Sequence, residues 1–200
     1  IMILDQFNLA GKVAIVTGAS TGLGQGMAYA LAEAGASIVG VDYVEMPETQ
    51  KEIESKGGKF LGIVANLLTI EPIDGIIEKT IETFGKVDIL VNNAGSGHVG
   101  PAEETTDEQW GGTIRIDLDS VFKVSREFGK IMIKNKYGRI INISSMYGLV
   151  GNSALPSASY HAAKGGVVNL TRALAAEWAK HGINVNCICP GYFATELTID

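Results

Sequence analysis

The sequence predicts a doubly wound, Rossmann-type α/β fold around a parallel β-sheet, and three observations predict it. Short runs rich in Val and Ile lack strict polar alternation, as strands covered on both faces do. Amphipathic stretches fall between these runs and give a βαβ series, whose crossovers build parallel sheets. A glycine-rich segment, Thr17 to Gly24, follows the first run and opens the first helical stretch. A chain turning into a helix there offers its free amides to an anion.

Taken in order, the predicted strands are Val13–Thr17, Ser37–Val41, Phe60–Val64, Val87–Val91, Arg139–Ile143 and Ile183–Ile188. The predicted helices are Gly22–Ala34, Pro47–Lys56, Ile70–Phe84, Asp107–Lys136 and Ser157–Lys180. Thr106 and Gln109 form a capping-box pattern ahead of the apolar positions Trp110, Ile114, Leu118 and Val121. No internal linker or repeat interrupts the series, which predicts a single domain over residues 1–200. The chain stops at Asp200, after the sixth strand and the start of what reads as a new helix. Nothing closes the sheet on that side, so the expectation is a chain truncated at its C-terminus and a sheet lacking its last strand.

With 46% hydrophobic residues in 200, the chain can bury a sizeable core. A net charge of −6 argues against nucleic acid as a partner. No stretch approaches the ~18 apolar residues of a membrane span, and the N-terminus lacks a leader pattern. Together these predict a soluble cytoplasmic protein with no membrane partner. Cys187 and Cys189, at and just past the end of the sixth strand, alternate and so point to one face, which suggests small buried side chains; a metal site would need further ligands, so no metal is expected.

The segments that carry chemistry lie at strand ends. Gly18, Gly22 and Gly24, with Ser20 and Leu23 between them, form T-G-x-x-x-G-x-G. These glycines let the backbone turn tightly and approach a pyrophosphate. A glycine loop is often only a turn, but its place between strand and helix favours nucleotide binding. Asp42 ends the second strand, eighteen residues after Gly24. A carboxylate there accepts hydrogen bonds from a ribose 2′-hydroxyl and repels a 2′-phosphate, which favours NAD over NADP. Asn92-Asn93-Ala94-Gly95 closes the fourth strand, where ligands bind in such sheets. Pro190-Gly191 follows the sixth strand, and Thr195 comes shortly after, near where the reactive end of a dinucleotide would lie.

Tyr160 and Lys164 are four residues apart in the last long helix, so they share a face. A free phenol, with a pKa of about 10, is a poor base near neutral pH. A neighbouring ammonium favours the phenolate. Ser145, in the preceding loop, could hold a substrate oxygen. A tyrosine and a lysine on a helix face carry little meaning alone; the cofactor loop and the serine give the pair its chemical sense.

Assembled in order, these motifs closely resemble the short-chain dehydrogenase/reductase family, over essentially the whole chain. The resemblance implies that Tyr160 is the acid/base and that Lys164 lowers its pKa while holding the nicotinamide ribose. It further implies that Ser145 positions the substrate oxygen, Asn92 lines the cofactor cleft with Ala94 and Gly95, and Thr195 binds the carboxamide beside Pro190 and Gly191. Asn66, after the third strand, replaces the usual aspartate that contacts adenine. Asp117 replaces the asparagine that normally supports a water linked to the catalytic lysine, so a carboxylate would join the proton relay. The Ser145–Tyr160 separation is two residues longer than is common and leaves Ser144 as a rival to Ser145. Family members are generally tetramers or dimers, with the two long helices pairing between subunits.

Two stretches, Gly22 to Met27 and Glu177 to Lys180, resemble the sugar-acid branch of the family, the gluconate 5-dehydrogenases and 2-deoxy-gluconate 3-dehydrogenases. Some such enzymes carry arginines after the N-N-A-G motif, where this chain has only His98. The expected reaction is hydride transfer between NAD and a secondary alcohol or ketone, with a small-molecule sugar acid as substrate. Reduction of 3-oxoacyl-carrier-protein is the rival within the same chemistry. A non-catalytic dinucleotide sensor is the rival of another class, and retention of both Tyr160 and Lys164 argues against it.

Overall fold

The computed structural model describes residues 3–69 and 72–195. The expected helix start near Asp200 and the first two residues of the third predicted helix lie outside them.

Six strands, β1 (Val13–Thr17), β2 (Ser37–Asp42), β3 (Phe60–Val64), β4 (Ile89–Asn92), β5 (Gly138–Ile143) and β6 (Ile183–Ile188), form one sheet in the order β3-β2-β1-β4-β5-β6. Every pairing is parallel. The helices are α1 (Gly22–Glu33), α2 (Pro47–Ser55), α3 (Pro72–Phe84), α4 (Asp107–Ile114), α5 (Ser120–Asn135) and α6 (Ala158–Trp178). β1 is buried along its whole length, as its unbroken apolar run requires. Residues on one face, such as Ile15, Val39 and Leu90, pack into a core with Ile73, Val124, Phe128 and Leu174 of α3, α5 and α6. The alternate residues Ala14, Val16 and Ile38 pack with Ala28 and Ile53 of α1 and α2 on the other face. Period-two alternation thus divides one apolar run between two cores.

Chain order reverses between β1 and β4, and the crevice at their carboxyl ends is where doubly wound sheets bind ligands. The expected capping box is present: Thr106 Oγ1 accepts from the Gln109 amide and Gln109 Oε1 accepts from the Thr106 amide.

One predicted element differs. The stretch 107–136 is not a continuous α-helix, because a π-helical turn over Arg115–Asp119 separates α4 from α5. The turn contains the buried Asp117, and such wide turns often occur at functional sites. The cysteines also differ from expectation, since Cys187 and Cys189 are only half-buried.

Candidate active site

The first wall of the crevice is the glycine loop. Gly18 (φ +68°) and Gly22 (φ +57°) adopt left-handed backbone that side chains disfavour. At Gly24 the constraint is space, since a Cβ would lie 1.9 Å from the Gly18 carbonyl oxygen. The loop is also tied down: Thr17 Oγ1 accepts from the amides of Asn93 and Ala94, both at 3.0 Å. Asn93 Nδ2 donates to the Thr17 carbonyl at 3.0 Å and the Gly18 carbonyl at 3.2 Å. Gln25 donates to the Ser20 carbonyl at 2.9 Å, and Thr49 to the Ala19 carbonyl at 2.8 Å.

Asp42 is buried at the end of β2, and its carboxylate accepts from the Ser20 amide at 3.0 Å and the Tyr43 amide at 2.7 Å. It therefore shapes the loop as well as presenting charge. Asn66 is exposed, and its side chain accepts from the Leu68 amide at 3.0 Å. A cleft of about 540 Å³ runs beside the loop, lined by Gly22, Leu23 and Met27 on one side and Phe193, Ala194 and Thr195 on the other. A backbone cradle that no side chain could enter, with an acceptor carboxylate at the next strand end, fits a dinucleotide.

The two asparagines of the N-N-A-G segment point to different places. Asn92 is buried, and its amide donates to Ser125 Oγ at 2.9 Å and Asn142 Oδ1 at 2.8 Å. Asn142 in turn donates to Thr171 Oγ1 at 2.9 Å. The structure thus gives Asn92 to the interior of the sheet, where it braces β4 against β5. Asn93, which the sequence analysis did not single out, is the one that reaches the glycine loop. Alternation at the strand end carried that signal.

The second wall is built by α6 and the loops after β4 and β5. Lys164 Nζ lies 5.5 Å from the centre of the half-buried Tyr160 ring. The backbone of Gly97 covers that ring so closely that a Cβ would sit 2.6 Å from it. Lys164 is itself buried, donates to the Ile143 carbonyl at 3.2 Å, and pairs with Asp117 Oδ1 at 3.0 Å. Burial pushes the Asp117 carboxyl above the usual carboxylate range, while Lys164 and the Ser96 amide pull the other way.

The two candidate serines separate by their bonds. Ser144 Oγ donates to the Lys164 carbonyl at 2.8 Å and so anchors α6. Ser145 Oγ accepts from the Tyr147 amide at 3.2 Å, a contact that leaves its hydroxyl hydrogen available to donate. The amide of Met146 donates to the Pro190 carbonyl at 2.9 Å, which joins this loop to the one after β6. Tyr147 adds a second junction: its hydroxyl meets that of Tyr192 at 2.5 Å, accepts from Asn152, and its ring stacks on His161 at 4.7 Å. The separations of 14 and 45 residues to His161 and Tyr192 hid this cluster from sequence reasoning. His98 is half-buried, with its amide donating to Thr113 Oγ1 at 3.3 Å.

The comparisons agree with this architecture. A family model described as short chain dehydrogenase matches residues 12–200. The chain belongs to the short-chain dehydrogenase family. Members use NAD(P), and this chain is an oxidoreductase acting on CH–OH groups. It is 48% identical to 2-dehydro-3-deoxy-D-gluconate 5-dehydrogenase of Dickeya dadantii, over 98% of this chain and 78% of that one. It is 39% identical to the 3-oxoacyl-[acyl-carrier-protein] reductase of Escherichia coli, over 96% and 77%. Among solved structures, a Beutenbergia cavernae protein described as an NAD(P)-dependent gluconate 5-dehydrogenase, with NADP bound at low occupancy, superposes with a TM-score of 0.89. It is 39% identical, over 95% of this chain and 76% of that one.

Proposed function

We propose that this short-chain dehydrogenase interconverts a secondary alcohol and a ketone on a sugar acid, with NAD as the preferred dinucleotide. The reading of the chemistry is carried by one observation: Lys164 is held beside the Tyr160 ring by buried contacts on two sides. In oxidation, Tyr160 takes the hydroxyl proton, and the Lys164 ammonium favours the resulting phenolate by its charge. Ser145 donates its hydroxyl hydrogen to the substrate oxygen and fixes it near Tyr160. Bound NAD supplies the hydride acceptor. Lys164 and Asp117 pass the proton onward from Tyr160. On the cofactor side, the loop from Gly18 to Gly24 with Ser20 and Leu23 would hold the pyrophosphate, and Asp42 would accept from the adenosine ribose. Asn66 would contact adenine, and Ala94, Gly95, Pro190, Gly191 and Thr195 would hold the nicotinamide half.

The sugar-acid substrate is supported by the relative from Dickeya dadantii, and the preference for NAD by the Asp42 carboxylate, which would repel a 2′-phosphate. The free cysteines support a cytoplasmic setting. Exposed Trp110 and Phe122, on α4 and α5, support pairing of the two long helical stretches, 107–136 and 157–180, between subunits of a dimer or tetramer. The similarity to a 3-oxoacyl-carrier-protein reductase supports a second reading, reduction of 3-oxoacyl thioesters. That reading would need a basic surface for an acidic carrier, and the chain carries a net charge of −6. Steady-state assays of sugar acids, polyols and 3-oxoacyl thioesters with NAD and NADP test the proposal. It expects sugar-acid oxidation with NAD to dominate; exclusive use of thioesters, or a clear preference for NADP, would overturn the corresponding part.

A further inference from the structure

We propose that the Asp117 carboxylate is a counter-charge to Lys164 and so sets the pH range in which Tyr160 exchanges its proton. The inference rests on the acid–base reading of Tyr160 and deepens it. Asp117 is fully buried and Lys164 is 4% exposed, with 3.0 Å between Oδ1 and Nζ. The carboxylate is wedged against the backbone of Gly95, where a Cβ would lie 2.3 Å from Oδ1. Among the described residues neither carboxylate oxygen has a hydrogen bond of good geometry, so Lys164, with the Ser96 amide nearby, is its main compensation.

An asparagine would fill the same volume, so what the carboxylate adds is charge. A buried ammonium alone acts on Tyr160 as a full positive charge. Paired with a carboxylate 3.0 Å away, it acts as a short dipole whose field falls off faster. The pull of Lys164 toward the phenolate is therefore weaker than it would be beside an amide. The two distances, 3.0 Å and 5.5 Å, limit the separation of Asp117 Oδ1 from the Tyr160 ring centre to at most about 8.5 Å. At that range one unit charge, at an effective dielectric near 20, is worth on the order of one pH unit.

The titratable groups facing Asp117 and Lys164 are few. α6 contributes Tyr160 and Lys164, with His161 turned onto the Tyr147 ring of the loop after β5. The loop after β4 contributes the backbone of Gly95 and Ser96, and β5 the Ile143 carbonyl. On its own segment Asp117 is flanked by exposed Arg115 and half-buried Asp119. Burial raises the carboxyl, so at the acid end of the range Asp117 takes up a proton and Lys164 recovers its full charge.

The test is a tyrosinate titration by near-ultraviolet absorbance. Wild type, Asp117→Asn and Asp117→Ser are each measured against the same protein carrying Tyr160→Phe, so that the difference isolates Tyr160. The inference expects the Tyr160 transition to come at lower pH in both charge-neutral variants, by about one unit. Coincident midpoints in all three, or a shift to higher pH, would overturn it. The titration needs neither substrate nor dinucleotide, so a mistaken substrate leaves its result unchanged. In turnover, the rising limb of the kcat/KM–pH profile for oxidation should move with the absorbance midpoint. A purely structural role would lower kcat/KM without moving that limb.

Discussion

Asn92 Nδ2 donates to Asn142 Oδ1 at 2.8 Å across the β4–β5 pair, where the two residues face each other in register. The bond is the centre of a buried chain from Ser125 on α5 to Thr171 on α6. It ties two strands and two helices together just beneath the loops that carry the site.

Breaking that chain should be costly because each member leaves a buried polar partner unsatisfied. Asn142→Ala should lower unfolding stability by about 1–3 kcal/mol. Asn92→Ala should cost a similar amount, and the double variant much less than the sum. Urea unfolding of the four proteins checks this; strict additivity would show that the amides do not act as one network.

Gly24→Ala introduces a Cβ that meets the Gly18 carbonyl oxygen and Asn93 Nδ2, at 1.9 and 2.5 Å. Relief requires the glycine loop to move away from α1. The expected outcome is a loss of about 1–3 kcal/mol in stability and a fall in dinucleotide affinity of at least about tenfold, or 1.4 kcal/mol. Gly26→Ala, on the exposed face of α1 with open space around it, should instead stabilise by about 0.5–1 kcal/mol. Unfolding and calorimetric titration of both variants separate the two cases.

Asp42→Asn removes the charge and keeps one side-chain oxygen, for the Ser20 or the Tyr43 amide but not both. The ratio of kcat/KM for NADP to that for NAD should rise by about tenfold, the equivalent of 1.4 kcal/mol of lost repulsion. An unchanged ratio would mean that Asp42 serves only to shape the loop.

Stability should also report the buried carboxyl. Asp117 has a raised pKa in the fold against 3.8 for the free group, so the folded state binds its proton more tightly. Its contribution is fully present below about pH 4 and is lost as pH rises through the elevated value. The stability of wild type relative to Asp117→Asn should therefore fall with increasing pH across that window and then level. Urea unfolding in a pH series checks the sign; an advantage that grows with pH would contradict it.

Much of the fold was legible because strand and helix periods are long-range signals. The strands at Val13, Phe60 and Ile183 begin where the apolar runs do. Tyr160 and Lys164 were legible as one face of a helix for the same reason. The π turn at Arg115–Asp119 was not, since one wider turn barely disturbs an apolar pattern spread over thirty residues. The division of labour between Asn92 and Asn93 turned on which residue faced the interior at the strand's last position. Alternation sets the two asparagines on opposite faces, and the buried partners Ser125 and Asn142 show that Asn92 takes the interior one. Likewise, Ser144 and Ser145 are equivalent in sequence and differ only because one reaches the Lys164 carbonyl. The Tyr147–Tyr192 contact joins two loops separated by 45 residues and has no local signature.

The central claim is that Tyr160 exchanges the proton while the dinucleotide is held by other groups. Turnover of the preferred sugar acid by Tyr160→Phe, with NAD affinity measured on the same preparation, tests it most directly. The account predicts a fall in kcat of at least about 10²-fold, the usual scale of acid–base catalysis, with NAD affinity within about twofold of wild type, or 0.4 kcal/mol. A Tyr160→Phe protein that kept most of its turnover would contradict it.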